Sequence, residues 1–583
     1  MTLTTTTMVF LMAAAILGFV AGTTLIISRQ CVDNPSMCPD NNGNQFFYYW
    51  TTGQRPIVAT GSGDVRGVTW TSRDGKAFSA FLGIPYAQVE TRFEPAKPYP
   101  KWDEVREAAT FGPVCLQVDR KKWIISGSED CLFLNVYSPQ ISNDSLLPVM
   151  VWIDGSLGWQ HGSGDKVNPK NFMDEKVVLV TFNFRQSSLG FLSSGDGEVQ
   201  GNFGLKDQVL ALTWVKKEIK NFGGDPDRVT IFGSDSGAAS VHLHMLSPMS
   251  KGLFHRAISQ SGSAHCPWTL MHNAASKFAS LAEQLDCNGT STKSKLDCIR
   301  SKSGEEVVMA EWKMKNSTWN GEPYATFGPT VEKSGSNRFL DKTPRELISS
   351  RGGDMVPWIV GFNEEEGRYF GSKVLNSVYL TNELNTNWKS LAPISFFYED
   401  IFPSQAEKDS FSSRLQNTYF GGRYIGRGDT WENYTNLYTD RYYLSGIMES
   451  VKGHGGVVYP YILKYKSDLT YYTGFITGEF RIKRAPSHFD ELFYLFNWEW
   501  TLEQIWYTNF SKKLVKMWVT FAETGVPQGW GSKPDWPQYS PSDNGTINWY
   551  VIDADTSIMA DDPGWEIRLD YWKSANLRDD SAL

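Results

Sequence analysis

Residues 229–240, Val-Thr-Ile-Phe-Gly-Ser-Asp-Ser-Gly-Ala-Ala-Ser, constrain the fold of this chain more than any other stretch. Val229, Thr230, Ile231 and Phe232 read as a strand, and the small residues from Gly237 onward read as the start of a helix. Gly233 and Gly237 stand two residues either side of Asp235. A reversal that sharp leaves no room for a Cβ beside the apex, so the spacing predicts a strand-turn-helix elbow that lifts one side chain, Asp235, above a sheet. Ser234 and Ser236 flank it, but moving the register by one residue would take the glycines off the crowded positions. Neither serine is expected at the top.

The surrounding sequence supplies that sheet. Leu132 and Phe133 open one short apolar run, and residues 149–153 and 177–182 form two more. Unbroken runs of this kind suit strands buried on both faces. Residues 205–222 then carry a helical period through Leu205, Val209, Leu212, Val215 and Ile219, so the order is strand, helix, strand, elbow. Later strands are expected at 355–360, 457–463 and 547–552. Before all of these, residues 65–70 and 76–81 read as an antiparallel hairpin turning at Arg73-Asp74-Gly75. The pattern implies an α/β fold: a large, mostly parallel twisted sheet flanked by helices, with an antiparallel N-terminal hairpin and room for a site at the strand ends.

The 583 residues need not be divided into several domains, because large open sheets grow by insertion around one core. A net charge of -8 and the lack of any long basic run argue against nucleic acid as a partner. No Cys/His spacing resembles a metal site, and no cofactor is implied. Residues 8–27 carry no charge over a length close to a membrane span. The reading is therefore a signal peptide or an uncleaved N-terminal anchor over 1–28, then a polar linker over 29–56. Either leader directs the rest of the chain into the secretory pathway, with membrane contact only through that segment if it is retained. Asn143, Asn288, Asn316, Asn433, Asn509 and Asn544 each begin a glycosylation triplet, which suits a luminal surface. Seven cysteines suit an oxidising compartment. Proximity pairs Cys115 with Cys131, Cys287 with Cys298 and Cys31 with Cys38, leaving Cys266.

Several further motifs occur in a fixed order: Phe81-Leu82-Gly83-Ile84-Pro85-Tyr86-Ala87, Ser128-Glu129-Asp130-Cys131-Leu132-Phe133-Leu134-Asn135-Val136, Gly201-Asn202-Phe203-Gly204-Leu205-Lys206-Asp207-Gln208, Phe222-Gly223-Gly224-Asp225-Pro226 and Ser259-Gln260-Ser261-Gly262. Together with the elbow they resemble the type-B carboxylesterase and cholinesterase family of the α/β-hydrolase fold. The resemblance runs over 57–575, followed by a short tail, 576–583. It implies a serine at the elbow, a glutamate after a later strand and a histidine in a loop near the end. Gly361-Phe362-Asn363-Glu364-Glu365-Glu366-Gly367 resembles the acid motif and Ser487-His488-Phe489-Asp490-Glu491 the histidine motif, so the triad-equivalent positions are Asp235, Glu366 and His488.

The apex is thus the departure. A serine hydroxyl stripped of its proton by imidazole forms a hydrolysable acyl-enzyme. A carboxylate attacking an ester would form a mixed anhydride, so ordinary ester hydrolysis is not expected. The resemblance also implies a glycine-rich loop whose N-H groups hold the developing oxyanion. Here Val151-Trp152-Ile153 continues as Asp154-Gly155-Ser156-Leu157-Gly158 with one extra residue before Gly162, which puts the equivalent donors at Gly155, Ser156 and Ser236 and an added negative charge at Asp154. Loss of one such donor costs about 3 to 4 kcal/mol of transition-state stabilisation. Between two carboxylates, His488 is expected as an imidazolium. Members of the family with a lost serine, such as neuroligins, neurotactin, gliotactin and glutactin, are adhesion or matrix proteins, so the resemblance implies a pseudoenzyme that binds an extracellular or cell-surface protein. Three alternatives stay open: a hydrolase of the epoxide or haloalkane type with Asp235 as nucleophile, residual ester hydrolysis, and carriage of a small apolar ligand. The family can also form homodimers through helices.

Overall fold

The computed structural model describes residues 55–577, apart from 120–123, 143, 156–157, 317–318, 320–325, 352–354, 468–469, 471–484, 498–504, 531–534, 541–544, 562 and 575–576. The N-terminal leader, the linker up to residue 54, the Cys31 and Cys38 pair, Asn143, Ser156, Asn544 and the tail beyond Leu577 lie outside the described residues. Among the described residues no helix is long and apolar enough to cross a membrane.

Eleven strands form one sheet. In chain order they are β1 (Val68–Thr71), β2 (Ala77–Pro85), β3 (Phe133–Ser138), β4 (Leu147–Ile153), β5 (Val178–Phe182), β6 (Gly224–Ser234), β7 (Arg256–Gln260), β8 (Trp358–Asn363), β9 (Val458–Leu463), β10 (Trp549–Ile552) and β11 (Ser557–Met559). Across the sheet they run β11-β10-β9-β8-β7-β6-β4-β5-β3-β2-β1. The span from β5 through β4 to β10 is parallel, and both flanks are antiparallel. The continuous apolar runs become β3, β4 and β5, in which every residue is buried.

The N-terminal hairpin forms from β1 and β2, with Val68 opposite Ala80. It does not run straight through from residue 65: at Gly67 the backbone N-H donates to the Pro56 carbonyl at 2.9 Å instead of continuing the pairing with β2. The chain breaks there, and Val65 pairs instead with Val58 in a separate small sheet. Helix α1 (Phe203–Glu218) carries the chain from β5 across β4 to β6, and the wholly buried helix α2 (Ser236–Leu246) follows the elbow.

That crossover positions the site. Strand order reverses at β4, which lies between β5 and β6, and the crevice outside a reversal is where open α/β sheets hold their ligands. Ile153 is in register with Gly233, Ser234 with Gln260, and Gln260 with Gly361, so the chain leaves β4, β6, β7 and β8 side by side. The disulfides Cys115–Cys131 and Cys287–Cys298 are formed, and Cys266 is a free, buried thiol.

Candidate functional site

Asp235 occupies the turn between β6 and α2 at φ 54 and ψ -121, a backbone region in which a side chain is strained. Packing imposes the turn. A Cβ at Gly237 would lie 2.0 Å from the Ile153 carbonyl oxygen and one at Gly233 2.6 Å from the same atom. The elbow is therefore pressed against the end of β4, and its apical side chain is fully buried.

The Asp235 carboxylate reaches in two directions. Oδ2 accepts a hydrogen bond of 2.7 Å from the Gly158 N-H. Oδ1 faces His488 Nε2 at 3.8 Å and has no hydrogen-bond partner among the described residues. The Gly158 peptide is held in turn by the Ser236 hydroxyl, which donates to its carbonyl at 2.8 Å. Gly155, one of the expected oxyanion donors, packs against the elbow, since a Cβ there would stand 2.0 Å from Gly237 N, and the amide that reaches the Asp235 carboxylate is that of Gly158. Of the other expected donors, Ser156 lies outside the described residues. Asp154 does not charge the site: its Oδ2 accepts from Ser163 N at 2.8 Å and pairs with Lys166 at 3.7 Å.

Glu366 and His488 meet as their spacing implies, with Nδ1 2.6 Å from Glu366 Oε2. Glu366 Oε1 accepts from the Asn363 N-H at 2.6 Å and from the Ser261 hydroxyl. Nearby residues that sequence reasoning missed complete the surroundings. Glu491 accepts from Ser234 Oγ at 2.8 Å, from Gln260 Nε2 at 3.2 Å and from Asn363 Nδ2 at 2.7 Å, so Ser234 points beneath the site and not into it. The Tyr443 ring is stacked on His488 with centroids 4.8 Å apart, and its hydroxyl lies 3.2 Å from Nε2.

Burial governs the protonation states. It pushes Asp235 up to about 6 against the attraction of His488, and Glu366 up to about 8. Desolvation also pushes His488 down to about 4, outweighing the pull of Asp235. The expected imidazolium is therefore corrected to a neutral ring, because taking the charge out of water costs more than two buried carboxyls return.

Beside the site lies a cavity of about 370 Å³, lined among others by Trp159, Trp268, Leu270, Met314, Phe327 and Phe397. Trp159 follows Gly158 directly, and its buried Nε1 has no hydrogen-bond partner among the described residues. The Trp268 ring is 6.0 Å from Tyr443. Among the described residues no group of three or more His, Cys, Asp or Glu is arranged to hold a metal.

The sequence matches the Carboxylesterase family over residues 54–561. The chain belongs to the carboxylesterase family. It is 34% identical over 516 residues to venom carboxylesterase-6 of Apis mellifera, covering 85% of this chain and 90% of that protein. It is 35% identical over 505 residues to juvenile hormone esterase of Tribolium castaneum, covering 82% and 84%. The crystal structure of juvenile hormone esterase from Manduca sexta with OTFP covalently attached superimposes with a TM-score of 0.78 at 25% identity, covering 90% of this chain and 100% of that one. Within this carboxylesterase-family frame, the described sequons differ in setting. Asn288 and Asn509 are exposed. The Asn433 side-chain amide donates to the Tyr419 carbonyl, a bond that a glycan would displace. Asn316 ends a helix, Gly304–Asn316.

Proposed function

We propose that this chain is an extracellular, non-hydrolysing member of the carboxylesterase family that keeps the fold in order to bind. The observation carrying the reading is that one side chain fills two places. The Asp235 carboxylate replaces the attacking hydroxyl, and its Oδ2 takes the Gly158 N-H that would otherwise be free to hold the oxyanion of an attacked ester. An ester carbonyl would have to share that donor with a resident negative charge. The extracellular setting is supported by the apolar leader, the sequons, the formed disulfides and the relative named as a venom carboxylesterase. Purified protein is expected neither to hydrolyse p-nitrophenyl butyrate nor to react with a serine-directed fluorophosphonate. Labelling at Ser234 or Ser236, or turnover that disappears in D235A, overturns the reading.

The cavity, lined by aromatic and apolar side chains together with Lys277, Glu283, Glu399 and Asp400, supports a small ligand with an apolar body and a polar end. Displacement of a bound anilinonaphthalene dye, and its loss in F327R, tests this. A cell-surface protein partner is supported by Val378 and Tyr379, exposed side by side at 78% and 69%. In that case V378D/Y379D should no longer bind cultured cells that wild type decorates.

Asp235 as a nucleophile is a second reading, favoured by the unpartnered Oδ1 beside His488. Reaction with an epoxide in heavy-oxygen water would then leave label in the Asp235 carboxylate, and unlabelled peptide sinks it.

A further inference from the structure

His488 has one nitrogen to orient it and one to do chemistry. Nδ1 is bound to Glu366 at 2.6 Å. Nε2 is the atom that would take the proton of a hydroxyl at the elbow. Here its hydrogen-bond partner is Tyr443 Oη at 3.2 Å, while Asp235 Oδ1 stands 3.8 Å away and is left without a partner in a fully buried position. A buried carboxylate oxygen is a strong acceptor, and here it is left orphaned beside an Nε2 that lies closer to the tyrosine hydroxyl than to it. Whichever side of the Glu366–His488 bond holds the proton, Tyr443 occupies Nε2, donating to its lone pair or accepting its N-H.

The tyrosine is firmly placed. It lies on a π-helical turn, Asp440–Leu444, a local widening that re-aims side chains. That turn is anchored by Trp268 Nε1 donating to the Tyr442 carbonyl at 2.9 Å and by Tyr442 Oη donating to the Ser395 carbonyl at 2.5 Å. The Tyr443 ring stacks on the imidazole at an interplanar angle of 29°.

We infer that Tyr443 is a positioning residue that silences the site independently of Asp235. It holds His488 Nε2 off the apex, so a serine restored at position 235 would not find a free base. The inference rests on the non-hydrolysing reading proposed above, and it locates a second lesion in a residue outside the triad.

Four proteins test it: wild type, Y443F, D235S and D235S/Y443F, each treated with a fluorophosphonate across a pH series. Wild type and Y443F are expected to stay unlabelled, and D235S to label slowly. D235S/Y443F is expected to label about five- to tenfold faster than D235S, the effect of releasing one neutral hydrogen bond. The pH of half-maximal labelling, which reports His488, is expected to move between D235S and D235S/Y443F, whereas a packing defect would slow labelling and leave that pH in place. Equal rates and superimposable pH profiles in those two, including no labelling in either, overturn the role of Tyr443 and leave the non-hydrolysing reading intact. Labelling of wild type sinks that reading, while the comparison of D235S with D235S/Y443F still decides the tyrosine. A measurement independent of serine is the His488 ring nitrogen signal, which should shift in Y443F as Nε2 closes on Asp235. An unchanged signal counts against the inference.

Discussion

Replacing Asp235 by asparagine should make the protein more stable, and by an amount that depends on pH in a defined way. Burial pushes the Asp235 carboxyl from an ordinary value of 3.8 up to about 6. A raised carboxyl binds its proton more tightly in the folded state than in the unfolded one. Below the unfolded value both states are protonated and there is no penalty. As pH rises the unfolded chain ionises first, so the penalty grows until the folded pKa is passed and then stays level. Two units at about 1.4 kcal/mol each amount to about 3 kcal/mol at pH 7.5, falling to about 1 kcal/mol at pH 4.5. Asparagine nearly preserves the shape. Its Oδ1 can still accept from Gly158 N, its amide can donate toward His488, and it leaves the strained φ of 54 as it was, so strain cancels in the difference. Denaturant unfolding of D235N and wild type side by side, followed by tryptophan fluorescence at both pH values, reads the gap. A gap of zero near neutrality, or one of equal size at both pH values, would refute the argument that an uncompensated buried charge sits at the elbow.

The buried histidines act in the opposite sense. Burial pushes His265 from 6.5 down to about 3, so the stability of its folded environment is intact above 6.5 and is lost as pH falls toward the folded value. H265Q should therefore gain on wild type by about 2 kcal/mol between pH 6.5 and pH 5 in paired unfolding curves, and a constant difference would contradict this. G237A should lose about 3 kcal/mol or more, since its Cβ would meet the Ile153 carbonyl oxygen at 2.0 Å, while G428A, with nothing within 4 Å, should be close to neutral; similar losses in both would contradict the packing argument. The Cys266 thiol is buried and pushed up to about 12, so Ellman's reagent at pH 8 should reach it only after denaturant is added, and prompt reaction of native protein would count against its placement.

Much of this was legible from residues alone, for physical reasons. Strands buried on both faces must be apolar throughout, so β3, β4 and β5 announce themselves, and an elbow that presses on a neighbouring strand must have glycines on either side of its apex. The acid and the histidine could be placed only through the resemblance of their local motifs to those of the family. What escaped depends on three dimensions. The Gly158 amide reaches Asp235 across 77 positions of sequence, a contact that spacing relative to Ile153 cannot show. Tyr443 lies 45 positions before His488 on a π turn and carries no local signature. Glu491 looks like a surface charge beside the histidine, yet it gathers Ser234, Gln260 and Asn363 below the elbow. The charge on His488 was misjudged for a different reason: counting neighbouring carboxylates ignores desolvation, and at full burial desolvation is the larger effect.

The elbow also shows that the turn is set independently of the side chain at its apex. Its conformation is held by backbone contacts: Gly237 and Gly233 against Ile153, Gly155 against Gly237, and Gly262 against the carbonyl of Asp235, where an added Cβ would stand 2.4 Å away. None of these contacts involves the apical side chain, so a hydroxyl and a carboxylate are equally compatible with the turn. What changes is what that side chain does to the groups already aimed at it. On the non-hydrolysing reading proposed above, the Gly158 N-H is already taken by a carboxylate that is ionised above about pH 6, and in that range the imidazole faces a group with no proton to give. A loss of turnover, on that same reading, would lie in occupancy of the site by this carboxylate, while the sheet, the helices and the neighbouring cavity stay available for binding.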